Sequence, residues 1–90
     1  MEIEFSPSAM RDIEQWKLSG DKKSIEKISV LLEAIKSDYK SGLGKPEPLK
    51  GNLTNHWSRH IDRKNRLIYR VYEDEQIITI ISLRGHYSDK

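Results

Sequence analysis

The sequence contains no cysteine, and this absence excludes several kinds of chemistry at once. Without thiols the chain has no disulfide framework, no thiolate nucleophile and no cysteine-ligated metal. Apolar residues make up only 36% of the 90 residues, while charged residues reach 33%, so one small core must suffice. No apolar run is long enough to span a bilayer, and the N-terminus lacks the basic-then-apolar pattern of a secretory signal. These features predict a single domain, residues 1–90, of a cytoplasmic protein without membrane association.

Positive charge is concentrated in the middle of the chain. Residues 41–72 carry seven Lys or Arg against two Asp or Glu, a net charge of +5. Residues 1–40 carry seven against eight, a net −1, and residues 73–90 carry two against four, a net −2. A basic run is often only a solvated face, but a local cationic field also attracts polyanions such as nucleic acids. Charge alone leaves both interpretations open.

The first half of the chain predicts a strand followed by two helices. Apolar and polar residues alternate over Glu2–Phe5, which indicates a short strand. A first helix is predicted from Pro7 to about Leu18, because Ser6 is a typical N-cap and proline is favoured in the first turn. Asp21 is the predicted cap of a second helix. Its apolar residues recur at steps of three and four: Ile25, Ile28, Leu31, Leu32, Ile35 and Tyr39.

The second half predicts three strands joined by short polar turns. The strands are Trp57–Ile61, Arg66–Tyr72 and Ile77–Leu83, with turns at 62–65 and 73–75. The last strand is nearly all apolar and β-branched, which predicts a central strand buried on both faces. Short turns imply antiparallel neighbours. The predicted fold class is therefore α+β, with two N-terminal helices packed on one face of a mainly antiparallel twisted sheet.

Between the helices and these strands lies a stiff, charged loop around Glu47. Pro46 and Pro48 fix their own φ and push the preceding residues towards extended geometry. Lys45 and Lys50 flank the carboxylate on either side. A carboxylate on a stiff loop among cations can stay ionised at neutral pH, as a general base must. Together with the strands that follow, this loop is predicted to build a site for an RNA phosphodiester.

Four segments, taken in order, resemble one bacterial toxin family. They are GKPEPLKGNL, WSR, NRLIY and a near-terminal HY, and they are similar to segments of the YoeB/Txe toxins of the RelE/ParE superfamily. The resemblance runs from the first strand to Tyr87. It implies a RelE-like microbial RNase fold, no cofactor, and a toxin that cuts mRNA in the A site of the 70S ribosome. It also implies a YefM/Phd-type antitoxin as partner, through which the complex binds operator DNA; a homodimer is a further candidate assembly.

The resemblance assigns catalytic roles to four positions. Glu47 matches the family's catalytic glutamate, Arg66 its transition-state arginine, and His86 and Tyr87 its terminal histidine and tyrosine. Metal-free cleavage uses the substrate's own 2′-hydroxyl as nucleophile, so it requires a base, cations for the phosphorus centre and an acid. Glu47 is the candidate base, and Arg66 can donate two parallel hydrogen bonds to phosphate. His86 is the candidate acid, and Tyr87 can position the phosphate or stack on a base.

Four further residues are candidate ligands of RNA phosphates: Lys45, Lys50, Arg59 and His60. Lys50 matches a lysine of the family, whereas His60 stands where the family usually has a second arginine. This replacement predicts a weaker and pH-dependent phosphate contact. Arg59 points to the opposite strand face from His60, which favours a structural or ribosome-contacting role over direct help at the site. No metal site is predicted, because His56 and His60 lie about 13 Å apart along a strand.

Two other functions fit parts of the sequence. A ParE-like toxin would share the fold and inhibit gyrase without cutting RNA, but that branch should lack the combination of Glu47 with a terminal histidine. A small, non-catalytic RNA-binding domain would display aromatic residues for stacking and carry a larger net charge. Trp16, Tyr39 and Tyr69 are instead predicted to be buried. Cleavage of mRNA is therefore the preferred hypothesis.

Overall fold

Two N-terminal helices and a five-stranded sheet make up the fold. The computed structural model describes residues 1–85. The elements are β1 (Glu2–Phe5), α1 (Pro7–Ser19), α2 (Lys22–Ser37), β2 (Glu47–Pro48), β3 (His56–His60), β4 (Arg66–Tyr72) and β5 (Ile77–Ser82). The strand order is β1-β5-β4-β3-β2, in which β1 and β5 are parallel and the other pairs are antiparallel. The predicted α+β class with a mainly antiparallel sheet is confirmed.

Both helices begin at the caps that the sequence predicts. Ser6 and Asp21 each accept a hydrogen bond from the backbone N–H three residues further on, which satisfies a free donor of the first turn. α2 ends at Ser37, so Tyr39, the last residue of the predicted apolar repeat, lies beyond it. Tyr39 still packs against the core, with its ring centroid 5.7 Å from that of Trp57. Among the described residues, neither helix is long and apolar enough to cross a membrane.

The hydrophobic core lies between the helices and one face of the sheet. Leu67, Tyr69 and Val71 of β4 are buried there, as the alternation along this strand predicts. The helices contribute Ala9, Trp16, Ile28, Leu31 and Ile35. We call the helix-free side of the sheet the open face. It carries Arg66, Ile68, Arg70 and Tyr72 of β4, in register with His60, Ser58 and His56 of β3.

The prediction that β5 is buried on both faces is wrong. Ile78 and Ile80 are fully buried against the helices, whereas Ile77 and Thr79 are only partly buried. Both helices lie on the same side of the sheet, so the other side of β5 belongs to the open face. Its β-branched residues on that side reflect strand propensity more than burial.

The Pro-Glu-Pro segment differs from the predicted loop in two respects. Glu47–Pro48 form the edge strand β2, in which Glu47 pairs with Ser58 of β3. An edge strand tolerates proline because one of its sides needs no N–H donor. Lys45 does not have the extended backbone predicted for a residue before proline, but a φ of +55°. This left-handed backbone costs about 1–2 kcal/mol, so contacts elsewhere must hold the segment in place.

Gly44 allows this segment to pack directly against β3. Its φ is +87°, and a Cβ at this position would lie 2.7 Å from Leu31 Cδ2 and 3.2 Å from Arg59 Cβ. The Gly44 carbonyl accepts a hydrogen bond of 2.8 Å from the backbone N–H of His60. Glycine is therefore required both by the backbone conformation and by the close approach of the two segments.

Replacing Gly44 by alanine is expected to lower the free energy of unfolding by about 2–4 kcal/mol. Overpacking accounts for about 1–3 kcal/mol of this loss and the positive φ for about 1 kcal/mol. Gly51→Ala is the matched control, because Gly51 has a φ of +75° but a Cβ at its position would meet no atom within 4 Å. Urea denaturation of both variants measures the difference. Equal destabilisation of the two would contradict the packing argument.

The end of β5 is attached to α1 by two hydrogen bonds. Trp16 Nε1 donates to the Leu83 carbonyl at 2.9 Å, and the Leu83 N–H donates to Asp12 Oδ2 at 2.8 Å. Trp16 is buried, as predicted, but this anchoring of Leu83 was not predicted. The first helix therefore fixes where the chain leaves the sheet.

Candidate active site

Glu47 and Arg66 meet on the open face from two different strands. Glu47 lies on β2 and Arg66 on β4, with β3 between them. The Arg66 side chain reaches across β3 and brings Nη1 to 3.7 Å from Glu47 Oε1. The Glu47 side chain is 60% exposed and that of Arg66 only 23%. The carboxylate is therefore open to a substrate, while the arginine is held within the sheet.

The contacts of Arg66 leave it able to bind an anion. Its Nε is buried and has no hydrogen-bond partner among the described residues. The 3.7 Å separation from Glu47 is longer than a hydrogen bond, so the two form a loose ion pair. A buried donor without a partner costs about 1–3 kcal/mol. A phosphate that bound Nε and Nη together would satisfy this donor and match the planar guanidinium.

His60 lies next to Arg66, its register partner on β4. Burial lowers the pKa of His60, and the positive charges of Arg66 and Lys45 lower it further, against an opposing effect of the Glu47 carboxylate. The imidazole is therefore neutral at pH 7. In this state His60 can hydrogen-bond to a substrate, but it becomes a cation only at lower pH.

Arg59 lies on the other side of β3 from the site, in the structural role that its strand position favoured, so its assignment among the candidate phosphate ligands is corrected. Its side chain is fully buried on the helix side of β3. The guanidinium donates hydrogen bonds of 2.7–2.9 Å to three backbone carbonyls within residues 38–43 and one of 3.1 Å to the Tyr69 hydroxyl. Strand alternation explains why His60 lies at the site and Arg59 does not, since neighbouring residues of a strand point to opposite faces of the sheet. Arg59 instead holds the segment between α2 and β2 on the core.

Two exposed lysines flank the edge strand that carries Glu47. Lys45 precedes β2 by two residues and Lys50 follows it by two. Neither ion pair within residues 1–85 involves them, since these join Lys17 to Glu14 and Arg66 to Glu47. Their ammonium groups are therefore available to a polyanion at either end of β2.

The described chain ends beside Arg66. The Gly85 N–H donates to Asn65 Oδ1 at 2.7 Å, and the Gly85 carbonyl accepts from the Arg66 N–H at 3.2 Å. Sequence reasoning missed this role of Asn65, because asparagine in a polar turn indicates turn chemistry alone. Its position directly before Arg66 in NRLIY was the available signal. His86 and Tyr87 follow Gly85 in the sequence and lie outside the described residues.

The site combines one accessible carboxylate with several groups that suit an anion. Arg66 supplies a guanidinium, His60 a neutral imidazole, and Lys45 and Lys50 supply exposed positive charge. No group of three His, Asp or Glu side chains within residues 1–85 is close enough to hold a metal ion. The described donor set is therefore that of an anion site with an exposed carboxylate beside it.

Comparison with known proteins identifies the family. A family model described as a YoeB-like toxin of bacterial type II toxin–antitoxin systems matches residues 5–87. Toxin YoeB of Mycobacterium bovis is 44% identical over 85 residues, which cover 94% of this chain and 96% of that protein. The chain therefore belongs to the YoeB-like toxins of bacterial type II toxin–antitoxin systems, as the sequence motifs indicated.

Solved structures of the family have the same fold. The YoeB/ParE toxin of Agrobacterium tumefaciens is 39% identical, with a TM-score of 0.88, and the match covers 97% of this chain and 100% of that one. Staphylococcus aureus YoeB has been solved as a dimer (41% identity, TM-score 0.83) and in complex with YefM (40%, 0.81). Both matches cover 97% of this chain and 98% of the S. aureus chain. The two-helix, five-stranded architecture is thus that of the YoeB toxins.

Proposed function

We propose that this toxin is a ribosome-dependent endoribonuclease that cleaves mRNA in the A site of the 70S ribosome and so inhibits translation. The observation that carries the proposal is the pairing of Glu47 with Arg66 on the open face. An exposed carboxylate stands 3.7 Å from an arginine whose Nε has no partner in the described chain. Attack by a 2′-hydroxyl on the adjacent phosphate needs a base and an anion ligand placed close together.

In the proposed mechanism Glu47 takes the proton of the 2′-hydroxyl, whose oxygen then attacks the neighbouring phosphorus. Arg66 binds the non-bridging oxygens and stabilises the negative charge that develops on them. The bond from phosphorus to the 5′ oxygen breaks, and His86 gives a proton to that oxygen. The products are a 2′,3′-cyclic phosphate and a 5′-hydroxyl. Tyr87 is assigned to positioning the phosphate.

The ribosome is proposed to supply the orientation that the toxin alone does not. The described site offers a few polar groups on a sheet face, which give little means of reading bases or bending a strand. Holding the 2′-oxygen in line with the phosphorus can contribute several orders of magnitude in rate. Purified toxin should therefore cut mRNA at discrete codons when ribosomes are present and leave free mRNA nearly intact. Equal cutting with and without ribosomes would overturn the ribosome requirement.

We further propose a YefM/Phd-type antitoxin as the partner of this chain. The support is that S. aureus YoeB, similar over nearly the whole chain, forms a complex with YefM. The S. aureus toxin also forms a dimer, and we extend this to the present chain. Binding to operator DNA is assigned to the antitoxin in the complex. Size-exclusion chromatography of toxin with and without antitoxin tests both assemblies.

Replacing His60 by arginine is expected to tighten binding to mRNA-programmed ribosomes about tenfold at pH 7.5. A hydrogen bond to a charged group is worth about 1.5–3 kcal/mol, and arginine carries its charge at every working pH. The pKa of His60 is lowered from its ordinary value, so the wild-type side chain gains its proton only as the pH falls below about 6.5. The advantage of arginine should therefore shrink as the pH is lowered.

The measurement is the dissociation constant for programmed ribosomes from mildly acidic to mildly alkaline pH. His60→Gln is the control that stays neutral throughout, and its affinity should lack the increase seen for the wild type at low pH. An affinity ratio between His60→Arg and wild type that is constant with pH would contradict a titrating His60.

A further inference from the structure

A second arginine on the open face shares the features that distinguish Arg66. Arg70 lies four residues further along β4, on the same face. It is partly buried, and its Nε, like that of Arg66, is buried without a hydrogen-bond partner in the described chain. Neither of the ion pairs formed within residues 1–85 involves Arg70. Within residues 1–85, the Arg70 Nε is therefore buried without a hydrogen bond or an ion pair that would compensate for its lost hydration.

The surroundings of Arg70 suit a planar, anionic ligand. Its guanidinium carbon lies 4.7 Å from the centroid of the Tyr72 ring. Its register partners are His56 on β3 and Thr79 on β5. We call Arg70, Tyr72, His56 and Thr79 the Arg70 cluster; none of them is acidic. The acidic residue in the same row of the sheet is Glu4 on β1, with Thr79 between it and Arg70.

We propose that the Arg70 cluster is a second RNA subsite, which binds a nucleotide beside the cleaved phosphodiester. This inference rests on the proposed nuclease function. The backbone positions of Arg66 and Arg70 are separated by four strand residues, about 13 Å, so the two side chains can contact different nucleotides of one RNA strand. A guanidinium plane can stack on a base while its N–H groups bind phosphate, and aromatic side chains extend the stacking surface. The mRNA strand would then follow β4 from Arg66 towards Tyr72.

RNA accounts for this cluster better than an acidic peptide does. The carboxylates of an acidic peptide would be attracted to the Arg70 charge, but a carboxylate does not stack on the neighbouring rings of Tyr72 and His56. Single-stranded RNA can contact both kinds of group, because its phosphates bind positive charges and its bases stack on aromatic or guanidinium planes. The cluster also continues the strand that carries Arg66. An antitoxin segment at the same place is the competing outcome of the test.

The test measures affinity without chemistry. Ribosomes are programmed with an mRNA whose A-site codon carries 2′-deoxy nucleotides, which removes the nucleophile. Arg70→Gln is expected to weaken toxin binding about tenfold, within the range produced by losing one stacked base. Arg70→Lys keeps the charge without the plane and should recover only part of the affinity. Arg11→Gln, an exposed arginine of α1, is the control for the same loss of charge and should bind like the wild type.

Each outcome decides between the possibilities. Equal affinities of wild type and Arg70→Gln would overturn the subsite, as would equal weakening by Arg70→Gln and Arg11→Gln. Weaker binding to the antitoxin with unchanged ribosome affinity would overturn it in favour of a peptide site. A tenfold lower affinity of Arg70→Gln than of wild type for the programmed ribosomes would support the subsite, provided that the two proteins have similar melting temperatures. If wild type failed to cleave an all-RNA message while this difference in affinity persisted, the nuclease proposal alone would fail.

Discussion

Replacing Glu47 by glutamine is expected to lower the rate of mRNA cleavage on the ribosome by about 10²- to 10⁴-fold, the usual contribution of a general base. Glutamine keeps the size of the side chain, but its amide cannot accept the 2′-hydroxyl proton. The stability of the fold should barely change. The carboxylate is 60% exposed and contacts Arg66 only loosely, and such pairs contribute about 1 kcal/mol or less.

Single-turnover cleavage at saturating toxin separates this loss in the chemical step from a loss of binding. Glu75→Gln is the matched control, because Glu75 is an exposed glutamate in the turn between β4 and β5. It should cleave at the wild-type rate. A Glu47→Gln toxin within tenfold of wild type would remove Glu47 from the role of base and leave it a residue of the edge strand.

Replacing Arg59 by methionine is expected to destabilise the fold by about 3 kcal/mol or more. The Arg59 guanidinium satisfies three backbone carbonyls of residues 38–43 and the Tyr69 hydroxyl. Each buried polar group left without a partner costs about 1–3 kcal/mol. Segment 38–43 is largely exposed, so water can reach its carbonyls, form some of the lost hydrogen bonds and reduce the summed loss of stability. Arg59→Lys supplies a charge without the planar fork and should recover only part of the stability.

Urea denaturation measures this effect, with Arg63→Met as the control. Arg63 is an exposed residue of the turn between β3 and β4, and its replacement should change stability by about 0.5 kcal/mol or less. A loss below about 1 kcal/mol for Arg59→Met would show that the segment before β2 is held in another way. Any Arg59→Met that stays folded should also cleave poorly, because this segment leads directly to Glu47.

The elements predicted correctly are those with local signals. The caps at Ser6 and Asp21 act on their own first turns, and the alternation over Arg66–Tyr72 shows directly which residues face the core. β2 could not be predicted in this way. Glu47–Pro48 become a strand only by pairing with β3. The positive φ of Lys45 likewise belongs to a segment that packs closely on β3 at Gly44, and no local signal marks it.

The site shows the same division between local and long-range information. The motifs indicated Glu47 and Arg66 as candidate site residues, but their meeting across β3 depends on the strand order. Alternation placed Arg59 on the core face, but its carbonyl partners come from a segment whose path has no sequence signature. Arg70 has the sequence pattern of an ordinary strand residue. That its Nε lacks a partner within residues 1–85 is seen only once the whole sheet is assembled.

The measurement that tests the central claim most directly is primer-extension mapping of mRNA during translation. Wild type is compared with Glu47→Ala, Arg66→Ala and His86→Ala, each shown to be folded. The proposed function predicts cleavage at discrete codons by wild type and loss of most of that cleavage in each variant. Intact mRNA in the presence of a wild-type toxin that still arrests growth would contradict it, and would favour a gyrase-directed toxin with a structural Glu47.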